Sequence, residues 1–344
     1  MRNTAVIIII GAFAGIVFAA GTRSPAHAAD PLQLSLPLVC EPHKTCFIQN
    51  YFDDEPGSSV QDYACGGATY DTHNGIDFRL LSAAATKANV AVVASADGIV
   101  KGLRDGVPDI FKRENNAAAV KGRECGNGVV LDHGNGWETQ YCHMKMGTVA
   151  VVSGQAVKRG DRLGSVGFSG QADFAHVHLS VRHNGRAIDP FWVDAAPGAC
   201  HRDGKTETLW QPSVAAAFAY RSGEIIGSGF AGEAVTLDGL ERDHTAAGPP
   251  NGSSPAMWFY GRFINLQEGD RLHITISGPG GSLVDNLAEP LPRHKATYLG
   301  FAGVKRPAEM WMTGRYDGRV ELVRDGAVVA ASSASVDITG AAKP

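Results

Sequence analysis

Sustained helical periodicity, cysteine beyond residue 200, a basic patch and a second long apolar run are all scarce or missing from this 344-residue chain. Each absence closes a class of reading. No Cys-x2-Cys pair occurs among the six cysteines, which argues against a zinc ribbon. Cys40, Cys46, Cys65, Cys125, Cys142 and Cys200 all precede residue 201, so any disulfides belong to the first part of the chain. Lys and Arg number 31 against 35 acidic residues, without a basic run, and that balance sets nucleic-acid binding aside. Beyond the first 29 residues no apolar stretch is long enough to cross a bilayer.

The amino terminus reads as an export signal. Arg2 gives a positive start, Ala5 to Ala20 is uncharged and apolar, and Ala26-His27-Ala28 offers a small-residue cleavage site before Ala29. The 16-residue core is short of the ~20 residues of a spanning helix. No cysteine follows it to carry a lipid. Residues 1–29 are therefore expected to be a signal peptide, and the mature chain an exported protein of net charge about −6, periplasmic or extracellular and at the cell wall, with no membrane association. In such an oxidising compartment an even cysteine count favours disulfides, with 15 possible pairings for six. One pair has a geometric motive. Val129 to Asp132 and Trp137 to Tyr141 flank Gly134-Asn135-Gly136, a hairpin signal whose mirror pairing brings Cys125 within about two residues of Cys142. A bulge would close the gap, and the bond would clamp the strand end at His143.

Glycine supplies 42 residues, recurring between short apolar runs as turns do between strands. Val90–Val93, Val129–Leu131, Thr148–Val152, Leu163–Val166 and His178–Val181 read as strands of a nearly all-β first domain over residues 30–200. The turn-rich Pro197–Gly204 marks the boundary. Beyond it, Ala215–Tyr220, Ala234–Leu237, Met257–Tyr260, Leu272–Ile276, Tyr298–Phe301, Met310–Met312 and Arg319–Val323 suggest seven short strands of a β-sandwich-like accessory domain over 201–344. The fold class is thus mainly β. Asp243–Ser254 reads as a loop within the second domain, and the charged Arg104–Arg123 as a long insertion in the first.

The chemistry lies in Thr72–Arg79, which carries His73 and Asp77, and in the pair His176 and His178. Residues two or four apart on a strand share a face, so each pair can converge. Two neutral imidazoles with a carboxylate form a donor set for a Lewis-acidic zinc that keeps one position open. Gly75 between the first two leaves room for another backbone or a substrate. His143, in Tyr141-Cys142-His143-Met144, is a fifth element. His133 and His183 read as turn residues, and His43, His201, His244, His273 and His294 have no partner at metal spacing.

His73-x3-Asp77, His143 after an aromatic strand, and His176-x-His178 resemble the zinc metallopeptidases of the lysostaphin and LytM type. The resemblance spans about residues 60–195, including Ala94–Val100 and Gly154–Asp161. It implies one Zn2+ per chain held by His73, Asp77 and His178, with His143 and His176 off the metal as proton-transferring catalytic groups. It implies a β-sheet groove that admits an extended peptide, namely the stem peptides or cross-bridges of peptidoglycan. Two other readings compete: a non-catalytic activator or scaffold for another cell-wall hydrolase, with a wall protein as partner, and a secreted protease acting on proteins.

Overall fold

Turn residues divide the apolar runs into strands, and in the computed structural model seventeen strands are found among the described residues, with little helix. The structure describes Met1 and residues 32–114, 120–245, 248–306 and 310–339. Beyond Met1, the expected export signal lies outside the described residues.

The first ten strands are β1 (Cys46–Asn50), β2 (Ile76–Leu80), β3 (Ala91–Val93), β4 (Gly98–Arg104), β5 (Asn127–Gly134), β6 (Trp137–Met144), β7 (Ala156–Val157), β8 (Arg162–Ser165), β9 (His176–His183) and β10 (Arg186–Ile188). Eight of them form one sheet in the order β1-β2-β9-β6-β5-β4-β7, with β10 on β9, while β3 pairs with β8. The middle of the sheet positions the polar residues. Asp77 lies directly opposite His178 in the antiparallel pair of β2 and β9, and His178 lies opposite Cys142 in the pair of β9 and β6. Directly opposed residues share a face with Cβ atoms about 5 Å apart, so this register brings three strands to one point.

The hairpin of β5 and β6 turns through Asn135 (φ 50°) and Gly136 (φ 80°), both left-handed as a two-residue type I′ turn requires. A register shift between Asn127 and Val129 supplies a bulge, and the Cys125–Cys142 disulfide spans it with Cα atoms 4.8 Å apart. Cys40–Cys46 and Cys65–Cys200 complete the set, leaving no free cysteine.

Thr148–Val152 was expected as a strand and instead runs as irregular chain, with Val151 buried and Ala150 N–H bonded to Leu163 C=O. Ala215–Tyr220 was also expected as a strand. It lies instead in and just after helix α1 (Pro212–Ala217), because Pro212 starts the helix and three alanines sustain it. Val214 and Phe218 pack into the first hydrophobic core with Leu209 and Trp210, so this core draws on chain beyond residue 200.

Seven further strands follow: β11 (Glu224–Ala231), β12 (Ala256–Leu266), β13 (Arg271–Gly278), β14 (Gly281–Leu287), β15 (Lys295–Lys305), β16 (Gly314–Arg324) and β17 (Ala327–Ile338). They form the sheets β11-β12-β15 and β14-β13-β16-β17, which share a second core of Phe259, Phe263, Ile274, Ile276, Val320 and Leu322. The expected strands Ala234–Leu237 and Met310–Met312 are not strands. The first leads into helix α2 (Leu237–Arg242), whose N-cap Thr236 accepts a bond from Gly239 N–H, and the second is a bend before β16. β11, β14 and β17 take their place in the sandwich. β17 is Ala- and Ser-rich and little buried, without the regular apolar/polar alternation that marks a half-buried strand.

Asp54 and Asp189 meet beside a pocket of about 740 Å3 lined also by Phe52, Trp137 and Trp192. One oxygen of each is buried without a hydrogen-bond donor. Burial, and for Asp54 the charge of Asp189, pushes the two carboxyls up to about 8 and about 7. With both raised above the unfolded value near 4, the folded state holds more protons through the interval between, so the pair stabilises at low pH and loses that contribution as pH rises toward 8. Asp54→Asn is expected to flatten the fall of the urea midpoint between pH 5 and pH 8; parallel wild-type and variant curves would show that the two carboxyls do not share a proton.

Candidate metal centre

Three backbone carbonyls decide the chemistry of the histidines. A carbonyl only accepts, so the ring nitrogen facing it must carry the proton and the other nitrogen of a neutral ring is a bare lone pair. His73 Nδ1 donates to Tyr51 C=O (2.5 Å), His143 Nδ1 to Ser169 C=O (2.8 Å) and His176 Nδ1 to Phe174 C=O (2.9 Å). In all three, Nε2 is left to act as ligand or base.

One of the five site residues, His143, and the residue before another, Thr72, adopt left-handed backbone. His73 precedes β2 in the turn Asp71–Gly75, where Thr72 (φ 66°) is left-handed and its N–H is held by Asp53 Oδ2. The expectation of His73 and Asp77 on one extended strand is thus replaced by a turn that folds His73 back over Asp77. His143, near the end of β6, is also left-handed (φ 61°), and its N–H bonds Cys125 C=O. Such conformations cost ~1 kcal/mol or more for a residue with a side chain, and they cluster where side chains must be aimed.

His73 Nε2 lies 3.2 Å from Asp77 Oδ1 and 3.1 Å from His178 Nδ1, while His178 Nδ1 lies 2.8 Å from Asp77 Oδ1. His73 and Asp77 are each 2% exposed, which removes water as the partner for this concentration of acceptors. The trio needs a shared cation or an extra proton. Burial pulls the His73 imidazole down, but the Asp77 charge and hydrogen bond and the Tyr51 carbonyl raise it overall. Asp77 is pushed up by burial yet held well below the usual carboxylate range by His73, His176 and the bond from His178. A zinc ion fits the same place, since two imidazole nitrogens and a carboxylate oxygen converge with outward nitrogens and oxygens already bonded. Asn50 Nδ2 holds Asp77 Oδ2 at 2.7 Å, and His178 Nε2 lies 2.9 Å from Ser180 Oγ. Local spacing gives no sign of Asn50, Tyr51, Ser169 or Ser180; only the strand register, with Asn50 opposite Asp77, brings the first of them in.

His143 and His176 flank the trio with ring centroids 4.5 Å apart, and His176 Nε2 is 3.5 Å from Asp77 Oδ1. Burial draws both imidazoles below the ordinary histidine value, His143 strongly, with the neighbouring His176 and His178 adding to the effect. They are neutral near pH 7. The floor opens into a groove of about 470 Å3 lined by Tyr70, Asn74, Gln140, Gln171, Ser180 and Arg182, with the Cys125–Cys142 disulfide in its wall. His133 bonds Asp97 C=O and Thr139 Oγ1, His183 stacks on Trp137, and His43 pairs with Glu224, so these stand apart from the site.

A mainly β protein with a buried His/Asp/His trio and two neutral histidines beside it is the class that fold and site define. Residues 71–190 match Peptidase family M23. Peptidoglycan DD-endopeptidase ShyA of Vibrio cholerae is 32% identical over 117 residues, covering 34% of this chain and 22% of that protein. DD-carboxypeptidase/endopeptidase Mpg of Neisseria meningitidis is 31% identical over 127 residues, covering 36% and 23%. An uncharacterized metalloprotease of Haemophilus influenzae is 30% identical over 121 residues, covering 35% and 21%. The chain therefore spans about a fifth of the length of these curated relatives. Among solved structures, the catalytic domain of a point mutant of the prophage-encoded M23 protein EnpA from Enterococcus faecalis aligns at 19% identity and a TM-score of 0.32, over 48% of this chain and 98% of that one.

Gly75 explains how the His178 ring fits. A Cβ there would lie 2.5 Å from Leu179 C=O and 2.7 Å from His178 Nε2. Gly75→Ala is expected to displace His178 and weaken zinc binding by about 10- to 100-fold, the range for disturbing a ligand's support. Competition against a chromophoric chelator measures it, and unchanged affinity would mean that the ring has room to spare.

Proposed function

We propose that the chain is an exported zinc metalloendopeptidase that hydrolyses peptide cross-links of peptidoglycan, with one zinc held by His73, Asp77 and His178. The observation that carries this reading is the convergence of three acceptor atoms in a site flanked by two histidines with free Nε2 lone pairs. Bound there, zinc supplies Lewis acidity for the scissile carbonyl and for the attacking water. The rest falls to the chain's own side chains. A neutral imidazole accepts a proton from water at Nε2 and passes it toward the leaving amine, and a second imidazole hydrogen-bonds the developing charge. His143 and His176 are the two candidates, and depression of both below the usual histidine value keeps them in the accepting form at neutral pH.

The open groove suits an extended peptide, and its lining by Gln140, Gln171 and Arg182 offers polar groups to a substrate backbone or carboxylate. The match of residues 71–190 to Peptidase family M23 and the names of the relatives support peptidoglycan as the polymer. Three disulfides are compatible with export. In this reading residues 30–200 carry the catalysis and 201–344 the accessory lobe.

Asp77→Ala is expected to lose zinc and activity together, whereas His143→Ala and His176→Ala keep zinc and lose hydrolysis of purified cross-linked sacculi by about 10²- to 10⁴-fold. Metal analysis beside fragment release from sacculi and from casein makes the comparison. Loss of metal in the His143 or His176 variant would move that residue among the ligands. Digestion of casein alone would redirect the substrate to proteins, and intact sacculi with a zinc-loaded chain would favour a binding role.

A further inference from the structure

The two non-ligand histidines are each held by a carbonyl, and the segments bearing those carbonyls are braced by adjacent residues of one short helix in the C-terminal lobe. Toward His176 the chain of contacts begins at Glu241 on α2. Its carboxylate accepts two bonds from Arg79 Nη2 (2.9 and 2.8 Å) and pairs with Arg262, whose Nη1 also donates to Leu81 C=O and Leu240 C=O. Arg79 has no exposed side-chain surface. It sits opposite His176 in the register of β2 and β9, and its guanidinium lies 4.9 Å from the ring centroid of Phe174. Phe174 packs on the His176 ring at 4.3 Å and provides the carbonyl that fixes its Nδ1.

Toward His143 the contacts begin one residue on. Arg242 pairs with Glu114 and with Asp238, which also pairs with Arg113. Both guanidiniums lie over the Phe111 ring, Arg113 at 4.3 Å and Arg242 at 5.2 Å. Phe111, only 3% exposed, stacks on Phe168 at 4.7 Å, and the next residue, Ser169, gives the carbonyl that fixes His143 Nδ1. The insertion that includes Phe111 is in this way pinned between the groove and the second lobe.

A buried ion pair is a poor device for stability alone, because desolvation offsets most of the attraction. Here the charges are directed at aromatic rings that lead to the histidines. We propose that Glu241 and Arg242 of α2 are positioning residues for the two proton-transferring histidines, so that the C-terminal lobe completes the catalytic geometry. This rests on the functional reading given above for His143 and His176.

The test uses the full-length, zinc-loaded chain labelled with 15N-histidine, comparing wild type with Glu241→Gln, Arg242→Met and Arg242→Lys. Nitrogen shifts report which ring nitrogen carries the proton. Glu241→Gln should loosen the Nδ1–H form of His176, and Arg242→Met that of His143, with kcat lower by about 10- to 100-fold, the range for losing support behind a working side chain. KM and zinc content should hold, and Arg242→Lys should restore part of the rate. Arg242 has 45% of its side chain exposed, so its variants remain informative if Glu241→Gln fails to fold. Unchanged histidine signals in a folded Arg242→Met protein, or a loss of rate that merely tracks loss of zinc or of folded protein, would overturn the proposal. The spectra decide it independently of hydrolysis: a wild-type chain with the expected tautomers and no peptidase activity would sink the functional reading alone.

Discussion

His73 Nε2, Asp77 Oδ1 and His178 Nδ1 converge to about 3 Å from one another in a place that water barely reaches. Such an arrangement calls for a shared cation or proton, and against the pull of burial the Asp77 charge raises the His73 imidazole overall. Most features around the site answer to that constraint. The Tyr51 carbonyl turns the His73 ring, Asn50 occupies the second oxygen of Asp77, and the absent side chain of Gly75 lets the His178 ring come close. The order β1-β2-β9-β6 then reads as a means of setting Asn50, Asp77, His178 and Cys142 in a row across four adjacent strands.

Rigidity comes from several sources at once. His143 holds a left-handed backbone conformation beside a disulfide-bridged bulge, and its neighbour Cys142 is tied to Cys125. Strain of this kind persists only where surroundings over-determine it. Those surroundings include the second lobe. Phe47, Ile226 and Ile264 form a small apolar cluster of their own, and Asn265 Nδ2 donates to Gln49 C=O on β1, so the chain beyond residue 220 is packed and bonded to the strands that carry the site. The long insertion after β4 is likewise organised: Asp105 and Asp109 accept backbone bonds from Met146, Gly147, Val149 and Phe168. A segment that looks like an uncommitted charged loop is tied on one side to the groove and on the other to α2.

The period-2 spacing of His176 and His178, the hairpin at Gly134–Gly136 and the nearly all-β character were legible from residue types, because each is a local property of composition and turn chemistry. So was the approach of Cys125 to Cys142, which follows from counting back along one hairpin. Four of the seven strands of the second lobe were legible, those containing Met257–Tyr260, Leu272–Ile276, Tyr298–Phe301 and Arg319–Val323. Ala215–Tyr220 is apolar enough for either state, and Pro212 with its alanines tipped it to helix; β17 lacks a regular alternation, and its pairing with β16 makes it a strand. Tertiary structure alone decided the turn that folds His73 over Asp77, the carbonyls that set the tautomers, and the bracing of the groove by Glu241 and Arg242. These depend on contacts between residues up to about two hundred positions apart, whose free energy arises only after loop closure has been met, and no periodicity along the chain records them.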